Sequence, residues 1–254
     1  METVRLEELT WTEVESAIED GVRTAIVPVG STEQHGPHLP LGTDSYIGEA
    51  VAERVAERLD DALVAPCIGV GVSGHHMEFP GTVSVDADLL MDLLASYAGS
   101  LERHGFEYVV LLPSHGGNFA PVETAAPEIA RDHPSIGVVT LADIERYMDL
   151  MNEGLQAGGI DYEEPVVHAG ANETSVMLAA RESLVRAEER DQGYEGEVPV
   201  PVLLSEGFRQ FTETGVLGDA TESSARAGEA ILENVAEAYA AEVRAARTAL
   251  QGTE

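Results

Sequence analysis

Lysine is missing altogether from the 254 residues, so the basic side chains are 14 arginines, set against 46 aspartates and glutamates for a formal net charge of −32. A surface of that sign repels phosphate backbones and anionic bilayers, which excludes nucleic acid and membranes as partners. Two explanations are open, a cationic partner or adaptation to very high salt, where the Debye length shrinks to about 3 Å at 1 M. The acids are spread along the helical segments and not gathered in one tail, which favours salt and a halophilic source. Cysteine occurs once, at Cys67, so an internal disulfide is impossible, and its apolar neighbours suit a packing role. Aromatics are 5% of the chain, with a single tryptophan, Trp11. No apolar run reaches the roughly 20 residues of a membrane span, and residues 1–8 lack the basic and apolar regions of a secretion signal. A cytoplasmic protein is expected.

What is present is a long alternation of helical and strand patterns, with 44% hydrophobic residues. A short helix over 11–21, with Trp11, Val14 and Ala17 on one face, precedes an apolar strand at 24–29. The helix predicted at 45–59 carries Ile47, Val51, Val55 and Leu59 at helical spacing. Strands at 62–70, 108–112 and 136–141 alternate with helices at 86–104 and from about 118 to 131. The strand at 108–112 is continuously apolar, as a strand buried on both faces must be. From 145 to 164 the pattern weakens, and Gly154, Gly158 and Gly159 suggest a mobile segment acting as a flap. Residues 182–222 read as loops with short strands, and 223–250 as an Ala-rich, acidic final helix. The expected architecture is α/β: a single domain over 1–254, a three-layer α/β/α sandwich with a mostly parallel sheet.

The chemistry gathers in the loop after the first strand. Residues 30–44 place Glu33, His35 and Asp44, with His38 beside them, among glycines and prolines. Carboxylate and imidazole are the ligands of a borderline divalent metal such as zinc, manganese or iron. A lone Asp before a helix is ordinarily a cap, but two carboxylates and a histidine in one such turn favour metal. His115 follows the strand at 108–112, in Ser114-His115-Gly116-Gly117-Asn118, and a parallel sheet brings that loop to the same edge. Gly69-Val70-Gly71-Val72-Ser73-Gly74 spells a dinucleotide fingerprint but runs into His75-His76-Met77-Glu78-Phe79-Pro80, so no helix can start there to receive a pyrophosphate. Side chains of His75 and His76 should diverge in an extended loop, with His76 lining the site. His104 and His133 sit at helix ends, where the helix dipole suffices to explain them.

Four segments resemble the creatininase family: residues 30–40 with Thr43-Asp44, Phe79-Pro80-Gly81-Thr82, residues 114–118, and His168-Ala169-Gly170-Ala171-Asn172-Glu173-Thr174-Ser175. Gly215-Val216-Leu217-Gly218-Asp219 is a fifth, and the resemblance spans roughly 10 to 240. It implies an amidohydrolase with two divalent ions per subunit, a small amide substrate, and a homo-oligomer of two to six chains. Position by position it implies Glu33 and His35 as ligands of separate ions, Asp44 as the bridge and His115 as a further ligand. Creatinine-hydrolysing members follow this histidine with tyrosine and glutamate, where this chain has Gly116 and Gly117; the Gly-Gly members instead use the later glutamate, here Glu173. Gly116, Gly117, Asn118 and His76 then line the substrate pocket. His168 could protonate the departing amine, its ordinary pKa of about 6.5 suiting both halves of a hydrolytic cycle, or could serve structurally. The tryptophans of the creatinine pocket have no counterpart. Creatinine opening, deformylation of a formylamino-pyrimidine nucleotide in archaeal flavin and deazaflavin synthesis, and trimming of the mycofactocin precursor peptide compete as the activity. A catalytically silent metal-binding protein is the rival from another class, and a nucleotide-dependent enzyme a second.

Overall fold

A computed structural model describes residues 3–164 and 166–252. Four parallel strands form one sheet: β1 (Thr24–Val29), β2 (Ala62–Val64), β3 (Tyr108–Pro113) and β4 (Gly137–Thr140), in the order β2-β1-β3-β4. In register, Ile26 lies beside Val64 and Val110, and Val29 beside Pro113. Every residue of β1 and β3 is buried, and side-chain parity divides the interior in two. Ile26, Val110 and Leu112 face one hydrophobic cluster, while Ala25, Val27, Val109 and Leu111 face the other.

The expected strand at 62–70 is shorter, because the chain leaves the sheet after Val64 and returns only at Ile68, whose N–H donates to Pro28 O. Pro66 lies in that excursion. Pro28 is tolerated in a central strand for the matching reason: its missing donor faces the side on which β2 has ended.

On the first face lie α2 (Thr43–Leu59), α5 (Ile144–Ala157), α6 (Ala171–Ala180) and α8 (Ala225–Gln251). On the other lie α1 (Trp11–Glu19), α3 (Ala87–His104) and α4 (Phe119–Asp132). Where a flap was expected, α5 is a core helix, with Tyr147, Leu150, Met151 and Leu155 buried against α8. Its glycines serve contact: a Cβ at Gly154 would stand 2.5 Å from Ile231 Cα, and one at Gly158 2.4 Å from Ala227 Cα. The region 182–222 carries 3-10 turns, isolated bridges and one short helix, α7 (Val200–Glu206), in place of short strands. Among the described residues no helix is long and apolar enough to cross a membrane.

Candidate metal centre

The loops leaving the carboxyl ends of β1 and β3 meet at one edge of the sheet, as the parallel topology requires. The β1 loop supplies Glu33 and His35, the first turn of α2 supplies Asp44, and the β3 loop supplies His115. A 3-10 turn at Gly74–His76 adds His76, and the approach to α6 adds His168 and Glu173. All seven side chains are buried. Asp44 does not cap its helix: Gly42 holds the N-cap position, with no side-chain cap bond, and Asp44 lies one residue inside.

The carboxylate of Asp44 faces two ways. Its Oδ1 is 3.3 Å from His35 Nε2, which is itself 3.5 Å from Glu173 Oε2. Its Oδ2 is 3.4 Å from His115 Nδ1, which is 3.2 Å from Glu33 Oε1. Two half-sites therefore share one carboxylate. Yet both oxygens of Glu33, Asp44 Oδ2 and His35 Nε2 make no hydrogen bond to any described residue. Buried polar atoms are not left so without cost. They converge on common points instead of on one another, and tetrahedral ligands about 2.0–2.1 Å from a zinc ion stand about 3.4 Å apart.

The protonation pattern fits the same group. His35 Nδ1 donates to Glu33 O at 3.2 Å, which leaves Nε2 bare toward Asp44 and Glu173. His115 Nε2 donates to Val72 O at 3.1 Å, with Ser73 Oγ also at 3.1 Å, which leaves Nδ1 bare toward Glu33 and Asp44. A carbonyl that fixes one ring nitrogen and frees the other is the usual support of a metal-ligating histidine. Burial alone would lower both imidazoles, but Asp44 with Glu173, and Glu33 with Asp44, overturn that and hold His35 and His115 well above the histidine range. Burial pushes Glu33 up; it pushes on Asp44 as well, yet His35 and His115 hold Asp44 below the usual carboxylate range. Such a field calls for a positive charge at each inward nitrogen, a proton where no metal is bound and a divalent ion in its place where one is. Burial first, then His35 for one and His168 for the other, pushes His168 and His76 well below the histidine range.

Other expected residues fall outside this cluster. Asn118 spends its amide on the frame, accepting from Val72 N–H at 3.0 Å and donating to Val29 O and Gly30 O. Gly116 is exposed, and a Cβ at Gly117 would lie 2.1 Å from Val72 O and 2.6 Å from His115 Nε2, so no side chain fits there. The second half-site takes its carboxylate from Glu173, whose Oε2 also accepts Ala169 N–H at 2.6 Å. His38 pairs with Thr174 Oγ1 at 2.8 Å and steadies α6. His75 and His76 do not diverge, because the 3-10 turn sets their rings 4.4 Å apart; His76 reaches Glu33 Oε1 at 3.2 Å. His133 binds Glu102 Oε2 at 2.9 Å, a role the helix dipole need not supply.

Sequence reasoning missed three participants. Gln34 reaches both His76 and His168. Phe208, from the segment after α7, lays its ring 4.0 Å from that of His76 and 4.5 Å from that of His168. Glu164, buried, accepts from the N–H groups of Ala171 and Asn172 and so holds the start of α6. Only Gln34 carried a signal, its place between two candidate ligands.

Comparison with known proteins agrees with the geometry. The family model for creatininase, creatinine amidohydrolase, matches residues 7–243. A mycofactocin precursor peptide peptidase of Mycolicibacterium smegmatis is 38% identical over 219 residues, covering 83% of this chain and 80% of its own. A creatinine amidohydrolase of Pseudomonas putida is 30% identical over 249 residues, covering 93% and 95%. Among solved structures, a mutant creatininase of Zn–Zn type superposes with a TM-score of 0.81 at 30% identity, over 95% of this chain and 97% of that one. A creatininase described with Mn gives 0.80 at 30% identity, over 95% and 98%.

Proposed function

The chain belongs to the creatininase family of amidohydrolases, and we propose that it hydrolyses a linear amide C–N bond at a centre of two divalent ions, zinc, manganese or iron. The observation that carries this reading is the two-way carboxylate of Asp44, one oxygen toward His35 and the other toward His115. Asp44 is the bridge, Glu33 and His115 complete one half-site, and His35 and Glu173 complete the other. Two such ions supply Lewis acidity, polarising an amide carbonyl and making a water acidic enough to attack at neutral pH.

The chain's own side chains do the rest. His168, with Nδ1 at 3.9 Å from Glu33 Oε1, is placed to aim an N–H at the departing amine. Phe208 covers the histidines and keeps bulk water from them. A linear substrate is favoured over the creatinine ring because no tryptophan stands near the centre: Trp11 lies on α1, 76% exposed. The two linear candidates, a peptide and a formylamino-pyrimidine nucleotide, share that chemistry. The reading extends to a single catalytic domain, a cytoplasmic homo-oligomer and a halophilic source, the last supported by the charge of −32.

The test is turnover by zinc- or manganese-loaded protein in molar KCl, with a short peptide, a formylamino-pyrimidine nucleotide and creatinine as substrates. A linear amide should be cleaved, chelation should abolish cleavage, and added metal should restore it. Preference for creatinine would overturn the linear assignment. Stoichiometric metal without turnover of any amide would favour the silent metal-binding role.

A further inference from the structure

Glu33, His76 and His168 offer three ligand-type atoms within 4.8 Å of one another, and so do His35, His168 and Glu173. By distance alone His76 and His168 could be counted as ligands. Their tautomers decide otherwise, and Gln34 sets the tautomers.

The side chain of Gln34 is buried, and two backbone groups fix which end of its amide is which. Gly36 N–H donates to Oε1 at 3.0 Å, and Nε2 donates to Gly215 O at 3.2 Å. Turning the amide over would set donor against donor and acceptor against acceptor. Gly215 makes room for this amide, since a Cβ there would meet Oε1 at 1.8 Å. Nε2 is therefore a donor with no lone pair to offer, so neither ring nitrogen that faces it can carry the proton there; with one hydrogen on Gly215 O, the other is shared between the two rings. The facing nitrogens are His168 Nε2 at 2.8 Å and His76 Nδ1 at 3.1 Å.

We infer that Gln34 is a positioning residue that holds His168 with its proton on Nδ1 and His76 with its proton on Nε2, so that both turn N–H groups, not lone pairs, toward Glu33. His76 Nε2 and His168 Nδ1 are the ring atoms nearest Glu33 Oε1, at 3.2 and 3.9 Å, and neither makes a hydrogen bond with it. The four histidines thus divide by their anchors. Backbone carbonyls on His35 and His115 leave bare nitrogens facing the carboxylates, whereas the amide donor on His76 and His168 leaves N–H groups there. His168 meets the reaction as a neutral ring whose inward N–H can donate a hydrogen bond to the departing nitrogen.

The inference rests on the proposed metal centre for its consequence, and the experiment separates the two. Solid-state 15N spectra of histidine-labelled, zinc-loaded protein distinguish protonated, bare and metal-bound ring nitrogens, with His76→Ala and His168→Ala variants to assign signals. His168 should show a protonated Nδ1 and a bare Nε2, and His76 the reverse. Both alanine variants should keep the zinc content of the parent. Gln34→Glu presents an acceptor in place of the donor, so His168 should move its proton to Nε2. Its kcat should fall about 100-fold, the low end of what one positioned hydrogen-bond donor supplies, with KM within a few-fold and zinc content unchanged. Gln34→Met, similar in shape and without donors, should give mixed tautomers and serves if the glutamate variant does not fold. A proton on His168 Nε2 in the parent, loss of zinc in either alanine variant, or Gln34 variants with parental spectra and kcat would each overturn the inference. A parent that binds no zinc would instead sink the metal-centre reading, and the tautomers would remain readable.

Discussion

Asp44 is the residue through which the two half-sites depend on each other. Asp44→Asn keeps shape and polarity but removes the charge that offsets two dications. Metal analysis of the purified variant should find fewer than two ions per chain, and kcat should fall by orders of magnitude. The fold should persist in saturating salt, because the Asp44 side chain makes no helix cap and its backbone carbonyl still accepts from Ser114 Oγ at 2.8 Å. Glu33→Gln should weaken mainly the His115 half-site, a milder loss that excess metal partly restores. Two metals and near-normal turnover in Asp44→Asn would dismiss the bridge. Glu33, His35 and Asp44 were legible in the sequence because one turn-rich loop after an apolar strand holds all three. His115 was legible because a parallel sheet sends its loop to the same edge. Gln34 showed only its place between two candidate ligands; its role was hidden, since its partners His76 and His168 lie 42 and 134 positions away and only the folded chain brings them together.

Among the elements, α5 shows how a composition can mislead. Glycine in a weak pattern reads as mobility, but Gly154 and Gly158 let α5 approach α8 until backbone meets backbone. Gly154→Val should therefore overpack that contact and cost about 1–3 kcal/mol, a melting temperature lower by several degrees, with metal content retained. The start of α6 gives a pH test. Burial pushes the Glu164 carboxyl up to about 8, against the N–H donors of Ala171 and Asn172. The folded state then holds that proton more tightly than the unfolded one, so the contribution to stability is present below about pH 4.5 and lost as pH rises through about 8. The melting-temperature advantage of the parent over Glu164→Gln should shrink between pH 5 and pH 9; an advantage that grows would mean the donors prevail over burial. The layered sheet and most helices were legible because apolar runs and helical spacing are local. The break in β2 and the cover made by Phe208 were not, since both depend on what the neighbouring chain leaves open.

At the scale of the whole molecule the surface charge governs. Fourteen arginines cannot pair 46 acids, and several of them tie α2 or the bend after it to α8, as Arg54 does to Glu229 at 2.9 Å and Arg247 to Asp61. Mutual repulsion of the remaining acids should dominate at low ionic strength and be screened in molar salt. Thermal melts from 0.1 to 2 M KCl should rise steadily; a flat or falling series would remove the case for a halophilic source. In the same molar salt, light scattering should give a multiple of the 27.0 kDa chain. An apolar groove of about 840 Å³, lined by Leu9, Trp11, Val14, Ile18, Tyr97 and Phe106, is one face free for such contact. Gly117 has a bearing that reaches past any one molecule. With Val72 O 2.1 Å from where its Cβ would stand, a carboxylate cannot be placed at that position by a single substitution while the 72–76 loop keeps its course. On the proposed reading, in which Glu173 supplies the second carboxylate, a relative that drew it from the place of Gly117 would differ by a coupled change of loop and ligand.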